Sequence, residues 1–414
     1  MSARVALLAG PTTYRGDAFL AAANRLGLDV LCVVDTPASL AGSPPGDWLE
    51  LDFTAQAAAI TALHRLHAER PLAAIVALDD SATLLAAAAG ASLGLPHNEP
   101  GAARAARDKW VMREALRRGG VPVPEFRLVH LGDDPLPAAE AIGFPVVVKP
   151  TTLSGSRGVI RANDADELRA AFVQAGAIAL AAGHAPGEDV LLLERYLPGR
   201  EVALEGLLTS GNLQTLAIFD KPDPLEGPYF EETIYVTPSR LPADVQSAIS
   251  ARTAEAAAAL GLREGPVHAE LRINDEDVWL IEMAGRSIGG LCSTVLEFGA
   301  GLSLEEIILR HAVGEPLPAS AMDHAAGVMM IPIPRGGILR GVTGVEAAAA
   351  VPGVTGVEIT APLHQPLTPL PAGASYLGFI FARGTGPDAA EAALRQAHAC
   401  LDFRIEATIP LRVA

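Results

Sequence analysis

Hydrophobic and polar positions divide this chain into two kinds of territory. Over roughly the first hundred residues, short apolar runs alternate with longer mixed ones. Residues 5–9, 30–34 and 74–78 read as buried strands, because uninterrupted apolar runs of that length suit strands covered on both faces. Residues 17–26, 55–69 and 81–90 read as the intervening helices, with Asp80 placed to cap the third. This βαβα order predicts a small parallel sheet. Its first turn, GPTTYRG, lacks the spacing of a dinucleotide-binding turn, although a ligand can still sit at such strand ends.

Beyond residue 106 the pattern shifts to α+β. A helix is expected over 108–118, capped by Asp108 and stopped by Gly119-Gly120. A strand at 144–149, a loop TTLSGSRG and a strand at 159–162 follow, and Asn163-Asp164 opens a helix over 165–175. Residues 190–196, 202–208 and 213–219 read as an antiparallel meander, 244–260 as a helix, and 303–313 as another. Residues 267–290 read as two strands around a polar turn at 274–277. The last hundred residues are rich in Gly and Pro, with short strands, one over 375–382, and a closing helix over 387–400. A chain of 414 residues exceeds what one core supports. We divide it at 1–105, 106–190, 191–318 and 319–414.

Composition narrows the class. Half the residues are hydrophobic, so large cores are available, and the net charge is −17. That charge argues against nucleic acid as the main partner, since nonspecific phosphate binding needs a basic surface. No stretch of about 18 apolar residues predicts a membrane span. Cys32, Cys292 and Cys400 are far apart and odd in number, which excludes a disulfide framework or zinc spacing and fits a reducing cytoplasm. Cys292 reads as a buried free thiol.

The chemistry concentrates in the two-strand segment. Glu270 and Glu282 lie on its two strands, with Arg286 just beyond. Two carboxylates beside a guanidinium fit Mg²⁺ and phosphate, because Mg²⁺ takes one or two carboxylates and completes its octahedron with phosphates and water. In a hairpin the two share a face only if the loop is odd or a bulge intervenes. A three-residue loop at 275–277 would set them opposite each other. The competing reading is an acidic pair facing solvent. Lys149 ends an apolar strand, where burying an ammonium needs an anion nearby. The loop after it carries Ser154, Gly155 and Ser156, whose hydroxyls and close backbone suit phosphate. Lys109 opens a helix and Lys221 follows the meander, while Glu194 and Glu201 flank a Pro-Gly turn.

Taken in order, these segments resemble the ATP-grasp superfamily, in particular its carboxylate–amine ligases: the bacterial L-amino-acid (dipeptide) ligases and the carnosine-synthase-like branch. The resemblance covers nearly the whole chain and is strongest from Arg107 to Gly290. It implies an N-terminal Rossmann-like domain, two α+β subdomains that hold ATP, and a C-terminal α+β region. It implies that Lys109 and Lys149 bind ATP phosphates under a lid at 151–158. Glu194, Arg195, Tyr196 and Leu197 would form the adenine hinge, and Glu201 would take the ribose hydroxyls. Glu270 and Glu282 would hold Mg²⁺ (or Mn²⁺), Arg286 would stabilise the transferred phosphoryl group, and Lys221 would lie near the phosphates and the acceptor pocket. Many relatives carry an asparagine two positions after the second metal glutamate, where this chain has Ala284.

The implied activity is ADP-forming ligation of a carboxylate to an amine through an acyl phosphate. Its partners would be small molecules, its setting cytoplasmic, and its assembly a homodimer. His268 shares a strand face with Glu270 and is a candidate base, against the plainer reading of a structural histidine. The rival readings are an ATP-grasp ligase of purine biosynthesis or of the biotin-carboxylase type, and an ATP-binding protein without turnover.

Overall fold

The protein is described by a computed structural model covering residues 2–11, 13–36, 48–183, 189–299, 301–317, 322, 324–373 and 375–407. Thr12 of the first turn lies outside them.

The N-terminal sheet is parallel throughout, in the spatial order Trp48–Leu51, Asp29–Asp35, Arg4–Ala9, Ala74–Ala77. Helices Gly16–Arg25 and Gln56–Glu69 supply crossovers, and a third helix, Asp80–Leu93, follows the last strand. The edge strand Trp48–Leu51 was not anticipated. It is only partly buried, so it lacks the apolar run that marks the others. The third helix is also entered differently. Asp79 occupies the cap position without a side-chain cap bond, and Asp80 is the first helical residue, its carboxylate directed elsewhere.

Helix Pro100–Arg107 leads into helix Lys109–Arg118. Between them Asp108 caps the second helix as expected, accepting from the Trp110 and Val111 N–H groups at 2.9 and 3.1 Å. A four-stranded antiparallel sheet follows, ordered Phe126–His130, Val190–Arg195, Val146–Pro150, Ile160–Ala162. Helix Ala165–Ala181, capped by Asp164, packs Leu168 and Phe172 against Val146 and Val148. Strand Val190–Arg195 therefore belongs to this sheet and not to a meander with its successors. The chain leaves it through Pro198-Gly199. Gly199 sits at φ 129°, and a Cβ there would fall 2.3 Å from the Ile273 carbonyl oxygen, so only glycine lets the strands pass.

The largest sheet has eight antiparallel strands: Val278–Ala284, Gly265–Ile273, Arg200–Thr209, Asn212–Asp220, Ile234–Thr237, Ala325–Ile331, Gly378–Gly384 and Val354–Ile359. Three of these come from the C-terminal region, which thus extends the central sheet. Helix Ala243–Leu260 covers one part of it, burying Ile249, Ala256 and Leu260. A continuous core joins the sheet to the N-terminal domain, with Phe19, Leu207, Phe219, Phe298, Ile307 and Phe379 among its members. The closing helix is Pro387–Ala399.

The acidic hairpin has Glu270 directly opposite Glu282. The route is a bulge and not a three-residue loop. Ile273 pairs with Val278 across a four-residue turn, and the register slips between Glu270 and Leu271, which leaves Ile281 extra. Asn274 shapes the turn, its side-chain oxygen accepting from the N–H groups of Glu276 and Asp277 and from the Trp279 indole.

Candidate active site

The three sheets enclose a cavity of about 580 Å³. Lys109, Lys149, Ser154, Gly155, Ser156, Glu194, Arg195, Tyr196, Leu197, Glu201, Glu270, Glu282 and Arg286 all line it. Residues spread over 178 positions of sequence are thus gathered into one wall, from Lys109 to Arg286. Lys221 is the exception and lies behind that wall.

On the small-sheet side, Lys149 donates to Glu194 at 2.5 Å, and Arg113 donates to the other carboxylate oxygen at 2.6 Å. Arg113 also reaches the carbonyl of the bulged Ile281 at 2.8 Å, tying this cluster to the acidic hairpin. Burial by itself would raise the Glu194 pKa, but Arg113 and Lys149 together hold it at about 2. Burial lowers that of Lys149, with Glu194 opposing and Arg113 adding to the effect. A cation already crowded by another cation is ready to take an incoming anion. The Glu194 side chain is thus a strut, and any recognition of an adenine edge falls to the backbone. There the Leu197 carbonyl accepts from Arg272 at 2.7 Å, and the Leu197 N–H has no partner among the described residues.

Lys109 donates to the Leu153 carbonyl at 2.7 Å and lies 3.1 Å from Glu282. Its backbone N–H bonds the Thr151 carbonyl, so the helix start anchors the Ser-Gly loop. Ser156, at φ 55°, and Gly155 turn that loop tightly. Its far end is held by the Gly158 N–H on the Pro371 carbonyl at 2.8 Å.

Lys221 sits in a nest of three carboxylates: Glu201 at 2.8 Å, Glu270 at 3.5 Å, and Glu232. Burial opposes its charge, and the three carboxylates override that and raise its pKa well above the ordinary lysine value. Glu201, Glu232 and Glu270 bring one oxygen each within 4.8 Å of one another, a spacing suited to a metal ion. The Lys221 ammonium already fills that nest, so the Glu270–Glu282 pair is the better place for a divalent cation. Glu201 is further engaged by Arg272 at 2.7 Å.

Arg286 is gripped by Asp80 of the N-terminal domain through a two-pronged contact at 3.0 and 2.8 Å, and it also donates to the Ser287 carbonyl. Against burial, Arg286 brings the Asp80 pKa down to about 2. The Nε and one N–H of each terminal nitrogen are used, which leaves the remaining N–H edge for a ligand. His268 is not free to act as a base. Its Nδ1 lies 2.6 Å from Glu205 and its Nε2 3.6 Å from Glu270. Burial opposes protonation, yet these carboxylates push its pKa up to about 9, so it is a cation at neutral pH. Cys292 is buried, and burial pushes its thiol pKa up, consistent with an inert packing role.

Arg113, Asp80, Glu205 and Arg272 were not foreseen in the site. An Arg within a helix reads as a solvated residue and an Asp at a helix start as a cap, and the partners lie far away in sequence. Only the buried charge of Glu205 within the apolar strand VALEGLL offered a signal.

Known proteins share the domains and the fold. The family description "ATP-grasp domain" matches residues 142–295, "ATP-grasp N-terminal domain" matches 20–97, and "L-amino acid ligase C-terminal domain 2" matches 329–406. The solved L-amino acid ligase of Bacillus licheniformis superposes with a TM-score of 0.81 at 24% identity, covering 98% of this chain and 99% of that one. D-alanine–D-alanine ligase of Ralstonia pickettii is 28% identical over 55% of this chain and 70% of its own length. Carnosine synthase 1 of Gallus gallus is 30% identical over 65% of this chain, but the match spans only 30% of that larger protein. The chain carries ATP-grasp domains and has the multidomain α/β and α+β fold of that superfamily. Within it the chain resembles the carboxylate–amine ligases, the L-amino-acid ligases and carnosine synthase among them.

Proposed function

We propose that this protein is an ATP-dependent, ADP-forming ligase that joins the carboxylate of an amino acid to an amine through an acyl phosphate. The observation that carries this reading is the opposed pair Glu270 and Glu282, set in one cavity with Lys109, Lys149 and Arg286. Two like charges facing each other across a strand pair call for a cation between them. Among the described residues Glu282 meets only Lys109, and Glu270 has two charged contacts, at 3.5 and 3.6 Å, so both carboxylates fit Mg²⁺ as ligands. When bound, Mg²⁺ would neutralise phosphate charge and orient the polyphosphate.

The chain's own groups account for the rest. Lys109 and Lys149 bind the polyphosphate, and the loop at 151–158 covers it and keeps water from the acyl phosphate. The substrate carboxylate oxygen attacks the γ-phosphorus, and the bond to the ADP oxygen breaks. The free edge of Arg286 stabilises charge on the transferred group. The amine then attacks the acyl carbon, phosphate leaves with the former carboxylate oxygen, and the amine releases a proton.

The same cavity supports an amino-acid substrate with an apolar side chain. Tyr14, Met330, Tyr376 and Phe379 line it, and Tyr14 and Tyr376 meet Phe379 edge-on at 5.9 Å. Glu232 stands beside them. One of its oxygens accepts from Lys221 and from the Tyr235 hydroxyl, and the other has no partner among the described residues and can accept from a substrate ammonium. The experiment is isotope transfer. A substrate labelled with ¹⁸O in its carboxylate should yield phosphate carrying one ¹⁸O per turnover. Unlabelled phosphate alongside product would refute the acyl-phosphate route.

A further inference from the structure

Glu205 is fully enclosed, and it does not line the cavity. It stands on the central strand Arg200–Thr209 directly opposite His268, with Glu270 two residues further along the same face. One of its oxygens does two things. It lies 2.6 Å from His268 Nδ1, and it accepts the Ile288 N–H at 2.9 Å. The other oxygen has no hydrogen-bond partner among the described residues. The opposite ring nitrogen of His268 faces Glu270 at 3.6 Å, and Ile288 is two residues beyond Arg286.

Burying a carboxylate with one oxygen unsatisfied costs stability. Its contacts give it a different use. We propose that Glu205 is a positioning residue that fixes both ends of the phosphate site, the Glu270 carboxylate through the His268 ring and the Arg286 turn through the Ile288 N–H. This rests on the ligase reading above. A residue that orients a metal-binding group from behind commonly changes metal affinity or activity by about 10- to 100-fold when altered.

The test uses Glu205→Gln, which keeps shape and an acceptor for Ile288, together with Glu205→Leu, His268→Gln and the double variant E205Q/H268Q. ADP binding is followed calorimetrically across a Mg²⁺ titration, alongside ATP turnover and thermal unfolding. We expect the Mg²⁺ requirement of ADP binding to rise about 10-fold or more in E205Q and H268Q, with no further rise in the double variant, because the two act as one chain. Binding of ADP without Mg²⁺ should stay unchanged in E205Q, whereas E205L, which leaves His268 Nδ1 and the Ile288 N–H unpaired, should lower Tm. A lowered Tm with an unaltered Mg²⁺ titration would reduce Glu205 to a structural residue and overturn the proposal. Wild-type protein whose ADP binding ignores Mg²⁺ would overturn the ligase reading itself, a result distinguishable from the first.

Discussion

Glu194 and Glu270 line the same cavity under opposite constraints. The Glu194 side chain is 3% exposed and is bonded at 2.5 and 2.6 Å to Lys149 and Arg113. The Glu270 side chain is 24% exposed, and its cationic neighbours stand off at 3.5 and 3.6 Å. One carboxylate is satisfied and rigid. The other is charged, aimed into the cavity and only loosely held, which is the condition for exchanging a protein partner for a ligand. Both have depressed pKa values, so ionisation alone does not separate strut from ligand-binding group; distance and exposure do.

The sharpest way to break the comparison is on the hairpin. Glu282→Ala, or Glu270→Gln, should lower turnover by roughly 10³-fold or more with little change in Tm, as loss of transition-state charge stabilisation does. Steady-state phosphate release and calorimetric unfolding together check this, and normal product formation by either variant would remove the metal assignment. Arg286→Ala should lower kcat by about 10²- to 10³-fold. An effect on KM alone would mean that this guanidinium only binds ground-state substrate.

Changes around Glu194 should act on stability instead. Arg113→Met leaves a buried carboxylate short of its main partner and should destabilise the protein by about 3–5 kcal/mol, read from denaturant unfolding. Retained stability would show that Glu194 needs no strut. The smallest effect is with pH. Because the folded-state pKa of Glu194 lies below its ordinary value, its contribution is fully present above about 4.5 and is lost as pH falls towards about 2. Acid unfolding in that window should be displaced to higher pH in R113M. Identical acid profiles would contradict the assignment.

Much of this was legible from sequence, for local reasons. Asp108 and Asp164 cap the expected helices because an Asp before an amphipathic run has one good use for its oxygens. Glu270 and Glu282 face each other because period-two patterning and a short turn leave few registers, although the bulge at Ile281 was visible only as one of two ways to reach that pairing. The pairs Arg113–Glu194 and Asp80–Arg286 span 81 and 206 positions, and no local pattern links such residues. The same limit hid the sheet change after Arg195, since strands of both sheets carry similar apolar runs. It also hid the nest around Lys221, whose carboxylates come from three separate segments.

The most direct test of the central claim is phosphate release from ATP and Mg²⁺ against single and paired amino acids, with mass spectrometry of the products. Release should occur only with particular pairs, with apolar side chains favoured, and the product mass should equal the sum of the pair minus water. ATP binding with no release on any pair, or release unaccompanied by an amide product, would contradict it.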